Sequence, residues 1–185
     1  QFRKLVLNHY RLRGRSLPWR KTHNPYAIAV SEVMLQQTQV SRVIPKYRAF
    51  LKVFPNIKKL AVASFRDVLQ MWQGLGYNRR AKALHEFAKE VVKNNKGIIP
   101  SDYQALASLP GIGAYTAGAI RAFAFDLPAI CIETNIRTAL LHHFFPRTRK
   151  KVDDKLLLKI LERVLPKKNV RIWYWALMDY GAYLK

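Results

Sequence analysis

The stretch Leu109-Pro110-Gly111-Ile112-Gly113-Ala114-Tyr115-Thr116-Ala117-Gly118 decides the fold, because it joins the end of one helix to the start of another. Gly111 and Gly113 allow the backbone to adopt positive φ and to approach another molecule closely. The helix that starts after Gly113 points its first amides, at the positive end of its dipole, toward whatever lies in front. Read alone, the stretch is also typical of an ordinary connection between helices, since Pro and Gly are the usual turn residues.

The charge of the chain suggests what lies in front of this turn. Lys and Arg together number 33 against 11 Asp and Glu, which gives a formal net charge of +22. The basic residues recur in runs, at 11–15, 58–59, 79–80, 147–151 and 167–168. Such a field attracts DNA or RNA with a marked salt dependence. An anionic membrane surface or a ribosome could use the same charge, so it indicates a class of partner and not an activity.

The composition predicts a folded protein that works inside the cell. Half of the 185 residues are hydrophobic, enough for one domain or two small ones. Cys131 is the one cysteine, which excludes an internal disulfide and a cysteine-bound cluster or zinc site. Apolar runs stay below the ~20 residues of a membrane span, and we expect neither a signal peptide nor a membrane partner.

The spacing of apolar residues predicts an all-α protein. Alternating runs typical of strands are essentially absent, whereas helical periodicity recurs along the chain. Asn24 and Pro25 are an N-cap and a first helical residue, followed by a nearly all-apolar and therefore buried helix over 26–38. Further helices are predicted over residues 78–94 and 115–125, and after Glu133 and Asp153.

Glu32 lies in the middle of the apolar helix. A carboxyl group in such surroundings is costly unless it is paired, and desolvation raises its pKa, as a general acid near neutral pH requires. A Glu on one wet edge of the helix, paired with an Arg, is the alternative. Gln36 and Gln37 follow one turn later and offer the donors and acceptors that a base edge needs; ordinary surface glutamines are the alternative.

Glu133 begins a helix together with Thr134 and Asn135. A helix N-terminus stabilises a carboxylate, so we expect Glu133 to remain ionised. One buried, protonatable carboxyl and one ionised carboxylate form the asymmetric pair that cleaves a glycosidic bond through an oxocarbenium-like transition state. Glu133 acting only as a support for the start of the helix is the alternative.

Four motifs in order resemble the helix-hairpin-helix DNA glycosylases. They are Leu17-Pro18-Trp19-Arg20, Ser31-Glu32-Val33-Met34-Leu35-Gln36-Gln37-Thr38-Gln39-Val40, Gly74-Leu75-Gly76-Tyr77 and Leu109-Pro110-Gly111-Ile112-Gly113. The decapeptide from Ser31 to Val40 is most similar to the MutY adenine glycosylases. The resemblance covers residues 17–184 and implies a fold of two lobes. One is a six-helix barrel over 23–127 with the hairpin at 109–118, and the other combines 1–22 with 128–185.

The resemblance also implies a role for each site residue. Double-stranded DNA with a mispaired or damaged base would lie across the mouth between the lobes, its target base turned out of the stack. Glu32 would protonate the adenine, and Glu133 falls on the catalytic Asp of the family. Tyr115 and Asn135 would lie beside the reacting sugar, and Gln37 and Tyr77 would wedge into the duplex. Gly111 and Gly113 would hold a phosphate, with Gln36 and Thr116 as further DNA contacts. The Leu109 and Gly111 carbonyls would bind a monovalent cation, K⁺ or Na⁺.

Three positions depart from the family pattern. Glu133 is one methylene longer than Asp, and a misplacement of ~1 Å costs up to about 10²-fold in rate. Tyr115 stands where members with lyase activity carry a Schiff-base lysine, so a monofunctional enzyme is expected. Lys185 stands at the first cysteine ligand of the family's iron–sulfur cluster, so no cluster is expected.

The sequence therefore leaves three functions open. The first is a monomeric, cluster-free glycosylase that removes adenine mispaired with guanine or 8-oxoguanine. The second is a mismatch thymine or uracil DNA glycosylase, since Tyr115 also occurs in such relatives. The third is a catalytically inactive DNA-binding module, which Glu133 favours.

Overall fold

A computed structural model describes residues 1–148 and 152–185, and within them it contains helices and no strand. The α-helices are α1 (Phe2–Arg13), α2 (Pro25–Leu35), α3 (Val40–Val53), α4 (Ile57–Val62), α5 (Phe65–Trp72), α6 (Arg79–Asn95), α7 (Tyr103–Ala107), α8 (Ala114–Phe125), α9 (Thr134–Phe144), α10 (Asp154–Val164) and α11 (Val170–Tyr183), with a 3-10 helix over Pro18–Lys21. The all-α class predicted from the sequence is confirmed.

The chain forms two compact units. The central unit comprises Leu17–Phe125, and the terminal unit combines Gln1–Ser16 with Asp126–Lys185. The sequence prediction set the first boundary after residue 22 and the second after residue 127. The 3-10 helix instead belongs to the central unit, where the Trp19 ring packs edge-on against Tyr47 with 5.5 Å between centroids.

Two helices organise the central unit. Helix α2 packs against α3, α6 and α8, and α6 also packs against α4 and α5. Nine consecutive residues of α2, from Tyr26 to Met34, are buried, as the sequence predicts for this helix. The side chain of Asn24 accepts hydrogen bonds from the amides of Tyr26 and Ala27, which confirms the predicted N-cap.

Helix α2 ends at Leu35, three residues earlier than predicted. Gln37 adopts a left-handed backbone conformation (φ 53°), which an α-helix cannot include. The carbonyls of Val33 and Met34, which would continue the helix, accept hydrogen bonds from the buried Arg80 side chain at 2.9 Å each. A side chain of α6 therefore terminates α2.

The terminal unit is built around α11, which packs against α1 and α9, while α10 packs against α9. Asp179 on α11 is buried and holds the chain after α1, because it accepts hydrogen bonds from the Arg15 backbone amide (2.8 Å) and Nε (2.7 Å). Arg149, Lys150 and Lys151 of the basic run 147–151 lie outside the described residues.

A helix that spans a membrane must be both long, about 20 residues, and predominantly apolar. No helix within residues 1–148 and 152–185 meets both conditions.

Candidate active site

Glu32 lies near the C-terminal end of α2, with only 6% of its surface exposed. Its neighbours along the helix, from Ala29 to Met34, are buried as well. The helix thus holds this carboxyl group away from bulk water, in the environment that a general acid requires. The Glu on a wet helix edge that the sequence left open does not fit this burial.

Gln36 and Thr116 meet where α2 ends and α8 begins. The amide Nε2 of Gln36 lies 3.5 Å from the hydroxyl Oγ1 of Thr116, and Thr116 is 3% exposed. The Thr116 side chain therefore lies inside the central unit and supports Gln36. Tyr115, the preceding residue of α8, is half-buried. The structure brings Gln36 and Thr116 together across 80 positions of sequence.

The hairpin turn, Leu109–Gly113, connects α7 to α8. The Leu109 carbonyl accepts a hydrogen bond from the Ile112 amide (3.1 Å), and the Gly113 carbonyl accepts the first helical bond of α8 from Ala117 (2.9 Å). Leu109 and Ile112 are buried, whereas Gly111 and Gly113 are exposed. The turn thus anchors its two apolar side chains and presents its glycine backbone to the outside.

The two glycines of the hairpin turn serve different purposes. Gly111 has φ +72°, and a Cβ atom there would lie 2.5 Å from the Cβ of Ala83 on α6. Gly113 is outside the left-handed region, and no described atom lies within 4 Å of where its Cβ would be. Either glycine could adopt positive φ, and of the two only Gly111 does so. Gly113 leaves space in front of the backbone.

Gln37 and Tyr77 are both exposed and both left-handed, with φ of 53° and 50°. Gln37 follows the end of α2, and Tyr77 closes the glycine–tyrosine turn, Gly74–Tyr77, before α6. For residues other than glycine this conformation costs about 1–2 kcal/mol. Their side chains are available to a partner, as expected for residues that would enter a duplex.

Arg80 is the residue that sequence reasoning missed. The sequence counts it among the basic runs, but it is 7% exposed and its guanidinium is used inside the protein. The donor Nη1 bonds the carbonyls of Val33, Met34 and Gln36, and Nη2 bonds the Leu75 and Gly76 carbonyls and the Thr38 hydroxyl, all at 2.6–3.1 Å. Burial lowers the pKa of this guanidinium. Arg80 joins the end of α2 to the glycine–tyrosine turn.

Glu133 is the N-cap of α9 in the terminal unit. Its Oε1 accepts hydrogen bonds from the backbone amides of Asn135 (2.9 Å) and Ile136 (2.8 Å), and its Oε2 accepts one from the Asn135 side chain (3.1 Å). These donors and the helix dipole stabilise a charged carboxylate. The structure brings Glu133 and Asn135 together, whereas Glu32 and Tyr115 belong to the central unit.

The segment before α9 is fixed by α11. The Tyr174 hydroxyl donates to the Ala129 carbonyl (2.7 Å) and accepts from the amide of Cys131 (3.3 Å), which is buried. Burial raises the pKa of Tyr174 far above its usual range, so its hydroxyl remains a donor. Gly181 lets α11 approach α9 closely, because a Cβ there would meet the Asn135 carbonyl at 1.9 Å. Both contacts position Glu133 and Asn135.

Residues 30–167 match the family model described as HhH-GPD superfamily base excision DNA repair protein. The chain belongs to this superfamily. Among solved structures, a thermostable thymine-DNA glycosylase superposes with a TM-score of 0.86 at 25% identity, with 98% of this chain and 86% of that one covered. A trapped endonuclease III–DNA covalent intermediate gives a TM-score of 0.83 at 19% identity, with 98% and 83% covered. The predicted helix-hairpin-helix glycosylase fold is thereby confirmed.

The likeness extends to sequences within the superfamily. The adenine DNA glycosylase of Buchnera aphidicola subsp. Baizongia pistaciae is 41% identical over 182 residues, which cover 98% of this chain and 52% of the relative. The chain thus spans about half the length of this curated relative.

Proposed function

We propose that the chain is a DNA glycosylase that removes adenine mispaired with guanine or 8-oxoguanine from double-stranded DNA. The observation that carries this proposal is the 41% identity over 98% of the chain to a protein named adenine DNA glycosylase. The net charge of +22 supports a nucleic-acid partner, and the exposed backbone of the hairpin turn supports contact with a phosphate.

Glu32 is the proposed general acid. It transfers a proton to N7 of the adenine, so that the electron pair of the C1′–N9 bond leaves with a neutral base. Water then adds to C1′ and releases a proton, which completes the hydrolysis. The burial of Glu32 supports this role, because a carboxyl group held away from water keeps its proton more readily than one in solvent.

Glu133 is the proposed partner of the developing positive charge on the sugar. Its three hydrogen bonds from the start of α9 support a carboxylate that is fixed in orientation. Asn135 holds one carboxylate oxygen and thereby keeps the side chain in place. Tyr115 carries no amine that could form a Schiff base, so base removal without strand cleavage is proposed.

Replacing Glu32 by Gln tests the acid. Because Gln has the same shape but no acidic proton, we expect base release to fall at least 10²-fold with little change in DNA affinity. Single-turnover assays on labelled duplexes with A opposite 8-oxoguanine or G, followed by alkali, measure the rate. Glu86→Gln, at a half-exposed carboxylate paired with Lys89, is the matched control. A Glu32→Gln protein that releases adenine at the wild-type rate would refute this assignment.

Replacing Glu133 by Asp tests the second carboxylate. Asp is a better N-cap than Glu and restores the side chain implied by the family resemblance, so the fold should persist. If the longer side chain holds the carboxylate away from the sugar, Asp should raise the rate by about tenfold or more, given the ~10²-fold cost of 1 Å. A lower rate would show that the site is built around Glu.

A mismatch thymine or uracil glycosylase is the second candidate. The TM-score of 0.86 to a thymine-DNA glycosylase favours it. Duplexes with T opposite G and U opposite G in the same assay distinguish it, since cleavage there without cleavage at adenine would replace the leading proposal. Nanomolar binding without cleavage of any duplex would instead identify an inactive DNA-binding module, which the use of Glu133 as a helix cap also supports.

The same proposal extends to cofactors and setting. We propose that the chain acts as an intracellular monomer without an iron–sulfur cluster. The Leu109 carbonyl accepts a hydrogen bond from the Ile112 amide, and a carbonyl oxygen carries two lone pairs. Together with the Gly111 carbonyl it would hold a K⁺ or Na⁺ ion, whose charge would add to the attraction of the hairpin turn for a phosphate.

A further inference from the structure

Arg80 is a buried cation that the proposed chemistry does not use. It lies in the first turn of α6, and each of its two terminal nitrogens donates to three oxygens. Four of these acceptors lie before and after Gln37 in the chain, and the other two are the carbonyls just before Tyr77. A single guanidinium therefore contacts both of the segments that carry exposed, left-handed residues.

The hydrogen bonds of Arg80 act directly on those two conformations. It holds the carbonyl of Gln36 (2.6 Å), whose peptide plane includes the nitrogen of Gln37. It also holds the carbonyl of Gly76 (3.1 Å), whose peptide plane includes the nitrogen of Tyr77. Because the peptide bond is planar, fixing the peptide plane before a residue fixes one of the two groups whose relative rotation defines its φ. The six donor–acceptor contacts of Arg80 offset the backbone strain at both sites.

The ring of Tyr77 is oriented by the same group. The Arg80 Cζ lies 5.5 Å from the centroid of the Tyr77 ring and 5.6 Å from that of Trp72, within the range of cation–π attraction. Trp72 also donates from Nε1 to the Gly76 carbonyl (3.2 Å). Tyr77 nevertheless remains 55% exposed, so the contacts aim the ring without burying it.

We propose that Arg80 is a positioning residue that holds Gln37 and Tyr77 ready to enter the DNA duplex. The inference rests on the proposed function for the act of base removal, and it assigns the preparation of the two exposed side chains to one buried guanidinium. Gln37 and Tyr77 have strained backbones and exposed side chains that do not stabilise the core. The free-energy cost of their conformation therefore indicates a role in binding a partner.

The role of Arg80 needs the shape of arginine in addition to its charge. The guanidinium presents separate nitrogens in a rigid plane, so that Nη1 donates to the end of α2 while Nη2 donates to the glycine–tyrosine turn and to Thr38. A lysine has one nitrogen with three donors and cannot reproduce all six contacts. Arg80→Lys therefore keeps the charge and removes part of the support of the two segments.

The experiment compares Arg80→Lys with Arg79→Lys, the same exchange at the exposed preceding residue. A 2-aminopurine placed next to the target adenine reports unstacking through its fluorescence. Three further quantities are measured: the dissociation constant for the duplex, the single-turnover rate of base release, and the thermal unfolding midpoint. A second substrate carries the adenine in a single-base bulge, where little stacking and no pairing oppose its removal.

We expect Arg80→Lys to bind the paired duplex within about threefold of wild type, because the net charge is unchanged. The fluorescence rise should be lost and base release should slow at least tenfold, while Arg79→Lys behaves as wild type. The bulged substrate should recover most of the rate. An equal rate defect on paired and bulged substrates, or an undiminished fluorescence rise, would overturn the proposal.

A milder variant covers the case in which Arg80→Lys does not fold. Thr38→Val removes one acceptor of Nη2 at constant shape and should reduce the fluorescence rise by about half. An unchanged rise in a folded Thr38→Val protein would also count against the proposal. Absence of base release by the wild-type chain would refute the proposed function alone, since fluorescence and binding still test whether Arg80 prepares the duplex contact.

Discussion

The glycine–tyrosine turn and the hairpin turn both have a Gly-x-Gly sequence and both contain a left-handed glycine, yet they are held in different ways. Gly76 has φ +71° and Gly111 has φ +72°. Around Gly76, the part of the chain that the structure describes places no atom within 4 Å of a Cβ position. Around Gly111, the Cβ of Ala83 lies only 2.5 Å from that position. Side-chain donors shape the first turn, and close packing shapes the second.

Both turns are nevertheless organised by one helix. Arg80 and Ala83 lie three positions apart at the start of α6, so they share one helix face. Arg80 binds the carbonyls of the glycine–tyrosine turn, and Ala83 receives the backbone of the hairpin turn. A glycine motif alone therefore does not reveal whether glycine is needed for its φ, for its missing side chain, or for both.

The largest effect is expected at Gly111. Gly111→Ala should lower the free energy of unfolding by about 3 kcal/mol, since left-handed strain of about 1–2 kcal/mol adds to an overpacking cost of about 1–3 kcal/mol against Ala83. Urea unfolding followed by circular dichroism measures the loss. A decrease below about 1 kcal/mol would show that α6 moves aside and that the contact with Ala83 does not constrain the turn.

Gly76→Ala is the matched variant with the same φ and open surroundings. It should cost only about 1 kcal/mol, because left-handed strain is then the one penalty. The difference between the two variants isolates the contact between Gly111 and α6. Equal losses would mean that φ alone explains both glycines and that the two turns are held in the same way.

Most of the fold prediction depended on local sequence signals, such as helix caps. Asn24 followed by Pro25 predicts the start of α2, and Glu133 and Asp153 predict the starts of α9 and α10, because each cap is satisfied within three residues of sequence. The end of α2 could not be found in this way. It depends on Arg80, which lies 47 positions after Val33, and no local pattern distinguishes this arginine from its exposed neighbour.

The same distinction between local signals and contacts of distant residues applies to the candidate site. The position of Glu133 at the start of a helix follows from its immediate surroundings, whereas those of Glu32 left open whether its carboxyl group is buried or lies on a wet helix edge. The meeting of Gln36 with Thr116 depends on how α2 packs against α8, and tertiary packing fixes it. The sequence therefore predicted which residues are polar in apolar surroundings, but not that Arg80 prepares two exposed ones. The catalytic roles themselves stay predictions.

The smallest effect on stability is expected at Gly113. Its backbone is not left-handed and its Cβ position is open, so Gly113→Ala should cost about 0.5 kcal/mol, the preference for Gly over Ala at an N-cap. If a phosphate approaches this backbone, the new methyl group should weaken duplex binding by on the order of tenfold, about 1.4 kcal/mol. The salt dependence of binding should stay the same, because no charge is removed. Fluorescence anisotropy at several salt concentrations measures both quantities. Unchanged affinity would place the phosphate elsewhere, and the missing side chain of Gly113 would then have no role in binding.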